Sequence, residues 1–284
     1  MKLAVIAHQQ TETNLGLASA RVPGIEPALL RPAQAMLRLQ PGDVAVGRLD
    51  VLRSLDGVEP GGWVLTELER RGVTVLNDAV ALSNCHDKLA TARALEAAGV
   101  RHPRTGYLAH DFPLPELELP LVVKPRLGSW GRDVLLCETR RELAEVLSEI
   151  RLRLWFVATG AVVQELIPPV GHDLRVLVAC GQVLGAARRI AAPGEWRTNV
   201  ALGGRREPAE APRAAAELAL AAADALGADL VGVDLLPLDG GWIVLEVNGA
   251  VDFTPEYRPA DDVYAAVGDA LARSASARAW ALAV

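Results

Sequence analysis

The chain has 284 residues, of which 51% are hydrophobic and 23% charged, and carries a formal net charge of −6. This length and apolar content suffice for a substantial core divided among two or three subdomains. The acidic balance, with no basic run interleaved with aromatics, argues against a general nucleic-acid binder. No apolar run approaches the roughly 18 residues that span a bilayer, and the stretch from Met1 to Ala7 is too short for a signal peptide. Cys85, Cys137 and Cys180 show no CxxC spacing, so neither a disulfide framework nor a zinc site is expected, and a reducing cytosol fits.

Leu3 to Ala7 and Asp43 to Val46 read as strands, and Gly61 to Arg71, with Leu65 and Leu68 at helical spacing, leads into a strand from Val73 to Leu76. This alternation predicts a small open α/β domain that lacks the GxGxxG of a dinucleotide site. His8 ends the first strand within reach of a substrate, although a structural or solvated histidine is the more frequent outcome.

Of the 29 lysines plus arginines, only Lys2, Lys88 and Lys124 are lysine. An ammonium is compact where a guanidinium is a broad fork, so Lys88 and Lys124 are candidates for phosphate contacts, with chance retention as the other reading. Ser83 or Asn84 can cap a helix through Leu89, Ala92 and Leu95 that Gly99 ends. Lys88 then sits in the first turn, against the helix dipole, which favours an anion nearby.

Residues 119–138 run strand, glycine loop, strand. Lys124 ends the first strand, Gly128 and Gly131 bracket Ser129 and Trp130, and Asp133 to Cys137 resumes an extended pattern. Such a loop can turn its N–H groups onto phosphate, although most short glycine loops between strands are plain hairpin turns, and no Walker pattern is present. Trp130 at the tip favours a loop that folds over something.

Arg140 to Arg151 is an amphipathic helix. A strand from Ala161 to Val163 runs on through Gln164, Glu165, Leu166 and Ile167 to Pro168-Pro169, an interdomain crossing whose free backbone groups can meet an adenine edge. His172 to Cys180 and Gln182 to Ile190 pair back on each other. Arg188, Arg189 and Arg197 are suited to phosphoryl or carboxylate oxygens, with at least one of the first two expected on a solvated strand edge. Glu210 to Leu226 is an alanine-rich helix, and Pro259 to Val284 a final helix and tail.

Between those helices, Leu230 to Leu238 and Trp242 to Asn248 flank Asp239-Gly240-Gly241, a hairpin signature. A three-residue loop sets Leu238 opposite Trp242 and Asp234 opposite Glu246, with Asn248 on the same face. The core face is then Val231, Val233, Leu235, Ile243, Leu245 and Val247. A two-residue loop places Asp234 opposite Val247 and on the other face. Two carboxylates and an amide among apolar neighbours suit a hard cation that shares its shell with phosphates. Solvated acids on a surface hairpin are the alternative, and the hairpin alone does not choose.

In order along the chain, HDKLAT, VVKPRLGSWGRDV, VVQELI, HDLRVLV, WRTNVALGG, GVDLL and LEVN resemble the ATP-grasp carboxylate–amine ligases, specifically the RimK and LysX group. GSWGRDV and EVNGAVDF look closer to LysX-like and archaeal-type glutamate ligases than to RimK itself. The resemblance runs from His86 to Tyr257. It implies an α/β (α+β) ATP-grasp fold with a pre-ATP-grasp domain at 1–82 that sets partner choice, a lid subdomain at 83–160 and a C-terminal subdomain at 161–284. It also implies that Lys88 and Lys124 contact ATP phosphates while Gly128, Ser129, Trp130 and Gly131 close over them. Gln164, Glu165, Leu166 and Ile167 would cradle adenine, with Glu165 and Ile167 using backbone, and Asp173 would join the nucleotide site. Asp234, Glu246 and Asn248 would hold two Mg²⁺ ions, with Mn²⁺ as a substitute. Arg175, Arg197 and Asn199 would face the acyl phosphate and substrates, and Arg188 would add a phosphate contact.

The implied reaction passes the γ-phosphoryl of ATP to a carboxylate, and an amine then displaces phosphate. Glutamate or a similar amino acid would be joined to a protein, peptide, carrier or small-molecule acceptor by a cytoplasmic homodimer or homotetramer, with no nucleic-acid or membrane partner. A phosphotransferase or an ATP-gated binding protein would use the same nucleotide site. On this reading, Asp234→Ala or Glu246→Ala abolishes ATP turnover without unfolding the protein.

Overall fold

The computed structural model of the protein describes residues 1–111 and 113–281. Strands β1 (Lys2–Ile6), β2 (Glu26–Leu30), β3 (Val44–Gly47) and β4 (Thr74–Leu76) form a parallel sheet in the order β2-β1-β3-β4, connected by helices α1 (Glu12–Leu17), α2 (Pro32–Arg38) and α3 (Gly62–Arg70). A parallel strand is covered on both faces, and β1 shows why its run is continuously apolar. Ala4 and Ile6 pack towards α2 and α3, whereas Leu3 and Val5 join a cluster with the C-terminal part of the chain.

Helices α4 (Ala79–His86) and α5 (Lys88–Ala97) follow. Their caps differ from the expected Ser83 or Asn84, which lie inside α4. Asp78 accepts from the Val80 and Ala81 N–H groups, and Asp87 caps α5. An aspartate oxygen reaches the first-turn N–H groups as well as a serine or asparagine does.

The second sheet is antiparallel, with β5 (Thr105–Leu108), β6 (Leu121–Pro125), β7 (Leu135–Cys137) and β8 (Ala161–Glu165) in the order β5-β8-β6-β7. Helix α6 (Arg140–Ile150), started by a Thr139/Glu142 capping box, and helix α7 (Leu154–Thr159) pack apolar side chains on it. The expected boundary at residue 160 is therefore misplaced. Strand β8 is a central strand of this sheet, and the crossing to the next unit comes after Glu165.

The third sheet contains β9 (His172–Ala179), β10 (Gln182–Ile190), β11 (Arg205–Ala209), β12 (Leu230–Leu238) and β13 (Gly241–Asn248), in the order β11-β10-β9-β12-β13. Helix α8 (Arg213–Ala225) covers one face through Ala215, Ala219, Ala222 and Ala223, where alanine lets the helix approach closely. Helix α9 (Val263–Ala281) places Val267, Ala270 and Leu271 in one cluster with Leu3 and Val46 of the first sheet and Leu177 of the third.

The β12–β13 hairpin departs from the expected three-residue loop. Leu238 pairs with Gly241, so the loop is Asp239-Gly240, both at positive φ (+52° and +72°). Asp-Gly favours this two-residue turn because its backbone twist matches that of the strands. A bulge at Leu245 then shifts the register, so that Leu235 faces Val244 while Asp234 faces Glu246. The carboxylates face each other as expected, but the bulge exchanges their apolar neighbours. Val244 enters the α8 core, and Ile243 and Leu245 turn to the opposite side with Leu236 and Ile167.

Candidate active site

A cleft lies where the second sheet faces the third. Its charged end is organised by the start of α5, which is pinned to the end of β6. The Lys88 N–H bonds the Arg126 carbonyl at 3.1 Å, and Asp87 caps the helix while pairing with the Arg126 guanidinium. Burial disfavours the Asp87 carboxylate, yet Arg126 and the helix N–H donors hold its pKa below the ordinary value. The anchored turn aims Lys88 Nζ at the Gly128 carbonyl (2.5 Å) and Glu246 Oε1 (3.1 Å).

Lys124, near the end of β6, is 6% exposed and has no hydrogen bond or ion pair among the described residues. Burial pushes its ammonium down to about 8, against the pull of Glu246.

On the hairpin, Asp234 receives the fork of Arg175 (Nε–Oδ1 2.5 Å, Nη2–Oδ2 2.7 Å) and Arg189 Nη2 at 2.8 Å. Asn248 Nδ2 lies 3.3 Å from Asp234 Oδ2. Burial opposes ionisation of both acids, but Arg175 and Arg189 hold Asp234, and Lys88 and Lys124 hold Glu246, below the usual carboxylate range. Among the described residues no group of three or more His, Cys, Asp or Glu could hold a metal ion. Two carboxylates and an amide oxygen nevertheless fit Mg²⁺, which draws the rest of its shell from phosphate and water.

The other end of the cleft is apolar, walled by Val122, Ile167, Leu236 and Leu245. Gln164 also lines it and donates to the Thr105 hydroxyl at 2.8 Å. The Glu165 and Leu166 N–H groups are taken by the Arg104 and Pro120 carbonyls, each at 3.1 Å, while the Ile167 N–H has no partner among the described residues. The Glu165 side chain, which also lines the cleft, accepts from the Arg104 N–H and guanidinium.

Gly128, Ser129 and Gly131 line the cleft, as do Arg197 and Asn199. Arg197 is held by Glu195 (2.7 Å) and donates to the Gly131 carbonyl at 2.9 Å. Trp130 differs from expectation. At φ +60° it turns out of this cleft, stacks over Arg132 and borders a second chamber beneath the first sheet.

Two further expectations change. Arg188 is exposed and faces away from the cleft, whereas Arg189, one residue on, is buried against Asp173 and Asp234. Neighbouring strand residues point to opposite faces, and pairing of Arg189 with Asp173 across β9 and β10 selects the inward one. Asp173, fully buried, spends its carboxylate on Arg189 and the Thr198 hydroxyl and so positions an arginine. Of the Arg188 and Arg189 pair, the expected site took Arg188 where the inward residue is Arg189, and Thr198 was not in it; the alternation of β10 against Asp173 was the signal that could have chosen Arg189.

Two facing sheets that enclose a cleft with buried lysines at one end and an apolar wall at the other define an ATP-grasp ligase fold. The D-alanine–D-alanine ligase of Bacillus anthracis, solved with ATP, superposes with a TM-score of 0.71 over 98% of both chains at 20% identity. A RimK domain protein of Sphaerobacter thermophilus gives 0.67 over 95% of this chain and 99% of that one at 22% identity. Residues 87–259 match the RimK-like ATP-grasp domain model, and the chain belongs to that family. A probable alpha-L-glutamate ligase of Thioalkalivibrio sulfidiphilus (strain HL-EbGR7) is 32% identical over 269 residues, 88% of each chain. One of Aeromonas salmonicida (strain A449) is 36% identical over 216 residues, 70% of each. The protein is an ATP-dependent ligase that forms C–N bonds.

Proposed function

We propose that the protein joins glutamate or a similar amino acid to a carboxylate of a protein, peptide or carrier acceptor through an acyl phosphate. The relatives named as probable alpha-L-glutamate ligases support the choice of amino acid. The observation that carries the mechanism is the convergence of Lys88, Lys124, Arg175 and Arg189 around the Asp234 and Glu246 carboxylates. Cations and acids alternate there at the junction between an apolar-walled cleft and a polar chamber.

In this reading the apolar wall takes the adenine, and the Ile167 N–H donates to its edge. Lys88 and Lys124 hold the phosphates, and the loop from Gly128 to Gly131 covers them and keeps water from the acyl phosphate. Arg175, Arg189, Arg197 and Asn199 orient the acyl carboxylate and the transferring phosphoryl oxygens, so that catalysis is positioning and charge stabilisation. Asp234, Glu246 and Asn248 would hold Mg²⁺, which when bound neutralises phosphate charge.

The test incubates the protein with ATP, MgCl₂, a glutamate-terminated peptide and hydroxylamine. A peptide hydroxamate with matching ADP is expected. ADP accompanied by a phosphorylated alcohol and no hydroxamate would overturn the ligase mechanism in favour of phosphotransfer.

A further inference from the structure

Two cavities meet at Asp50. One lies beneath the first sheet, with Asn14, Arg48, Glu59 and Asp252 on its walls. The other runs along the hairpin to Glu246 and Asn248. Asp50 and Asp252 are the carboxylates on both walls, and they differ in what they have left to offer. Asp252 Oδ1 accepts from the Thr11 hydroxyl (3.1 Å) and Arg48 Nη2 (3.4 Å). Glu59 is also engaged, by Gln9 Nε2 at 2.9 Å and the Asp50 N–H at 3.0 Å. Asp50 gives Oδ1 to the Val51 N–H at 2.7 Å, and its Oδ2 has no partner among the described residues.

A second orphan stands beside it. Arg48 is 3% exposed and bonds Asn14 Oδ1 through Nε at 2.5 Å, but its buried Nη1 has no hydrogen-bond partner among the described residues. A buried guanidinium N–H left unmade is costly, and the open Asp50 oxygen beside it can still accept. Together on one chamber wall they are complementary to a zwitterion, whose carboxylate and ammonium would satisfy both.

Resting on the acyl-transfer reading, we propose that Asp50 is the general base that deprotonates the attacking amine. An amino acid arrives as its ammonium form and has no lone pair for attack. Asp50 takes one N–H proton, the freed nitrogen pair forms the C–N bond to the acyl carbon, and the second N–H proton passes to the departing phosphate. The carbon–oxygen bond to phosphate breaks, its electron pair leaves with phosphate, and Asp50 later returns the proton to water.

Burial raises the Asp50 carboxyl to about 6, with Asp252 and Glu59 adding to the rise and the Val51 N–H and Arg48 opposing it. The group is thus ionised near neutrality yet a better proton acceptor than an ordinary aspartate. Across the chamber it faces Arg206, Glu246 and the Arg175 and Arg189 pair engaged with Asp234, and Arg53 and Arg132 border its lower wall.

The experiment compares L-glutamate with methoxyamine as nucleophile, using a glutamate-terminated peptide, ATP and MgCl₂. Methoxyamine stays unprotonated through the range in which Asp50 titrates and needs no base. Asp50→Asn should lower kcat for glutamate ligation roughly a hundredfold while methoxyamide formation stays within about twofold. Wild-type ligation should fade as pH falls through about 6, and methoxyamide formation should not. Equal losses with both nucleophiles, or no loss with either, would overturn the assignment. Should the variant not fold, as a melting curve would report, the two wild-type pH profiles decide, and identical acid limbs overturn it. If the wild-type protein makes neither product, the acyl-transfer reading itself falls and the base with it.

Discussion

Asp234 holds two buried guanidinium groups in place, which alters what its replacement would do. The expectation that Asp234→Ala removes activity and spares the fold overlooks that Arg175 and Arg189 would be left facing an emptied, desolvated position. Removing one partner of a buried ion pair costs about 3–5 kcal/mol, so Asp234→Ala should lower the melting temperature as well as ATP turnover. The Glu246 side chain is 24% exposed and contacts Lys88. Glu246→Gln should therefore keep the wild-type melting curve and lose turnover, and a melting loss as large as that of Asp234→Ala would contradict this division of roles. Lys124 gives a second prediction. Its folded pKa of about 8 lies below the ordinary lysine value, so the ammonium is present below that pH and is lost as pH rises through it. ADP affinity, measured by calorimetry, should weaken above about pH 8, by at most about tenfold per pH unit. Bound phosphate will draw the onset upwards, and Lys124→Met should remove the dependence. Both lysines were visible in the sequence because they stand almost alone among arginines. Asp50 and Arg48 were not, since a buried orphan such as Arg48 Nη1, and the acid beside it, show only when the walls around them are known.

At the scale of elements, the hairpin and the glycine loop show what spacing can and cannot convey. Strand alternation correctly set Asp234 against Glu246, but through a three-residue loop that the chain does not use. Asp239-Gly240 makes the shorter turn, and the extra residue is accommodated at Leu245. A bulge has no composition signal of its own, so the exchange of Val244 for Ile243 and Leu245 on the core face was not legible. The exchange matters for the site, because it puts Leu245 on the apolar wall of the cleft. In the glycine loop the bracketing residues are not equivalent. A Cβ on Gly131, at φ +70°, would meet Asn199 Oδ1 at 2.6 Å and Leu202 Cδ1 at 2.9 Å, whereas one on Gly128 would find Pro125 Cβ at 3.4 Å. Gly131→Ala should strain the loop by roughly 1–2 kcal/mol and push it off Asn199, raising KM for ATP and lowering kcat. Gly128→Ala should leave both within about twofold, given ordinary contacts. Steady-state kinetics on the two variants checks the contrast, and equal effects would mean that the loop does not work through Asn199.

For the whole molecule, the sheet order of the first unit suggests an autonomous domain, but its contacts do not. Leu3, Val5, Val44 and Val46 share one apolar cluster with Leu177, Phe253 and Leu271, so one face of the first sheet is completed by the third sheet and the C-terminal part of the chain. The polar joint is Asn77, fully buried at φ +50° just after β4. Its Nδ2 donates to the Leu230 and Gly249 carbonyls (2.6 and 3.0 Å), its Oδ1 accepts from the Asp229 and Leu230 N–H groups (2.7 and 2.9 Å), and its own N–H bonds Asp229 Oδ2 at 3.0 Å. One amide thus fixes the end of the first sheet to the base of the hairpin, where Gly249 follows Asn248. Sequence offered no sign of this, because an asparagine after a strand reads as an ordinary turn residue. Asn77→Ala would orphan four buried backbone groups at roughly 1–3 kcal/mol for each that finds no water. A loss of at least about 3 kcal/mol in chemical denaturation is therefore expected. Because the apolar cluster is continuous, the weakened protein should still unfold in one transition, with amide protection in β1 and β12 lost together. Two separated transitions would show that the first unit folds by itself and that the Asp50 chamber is a docking of domains rather than part of a single core.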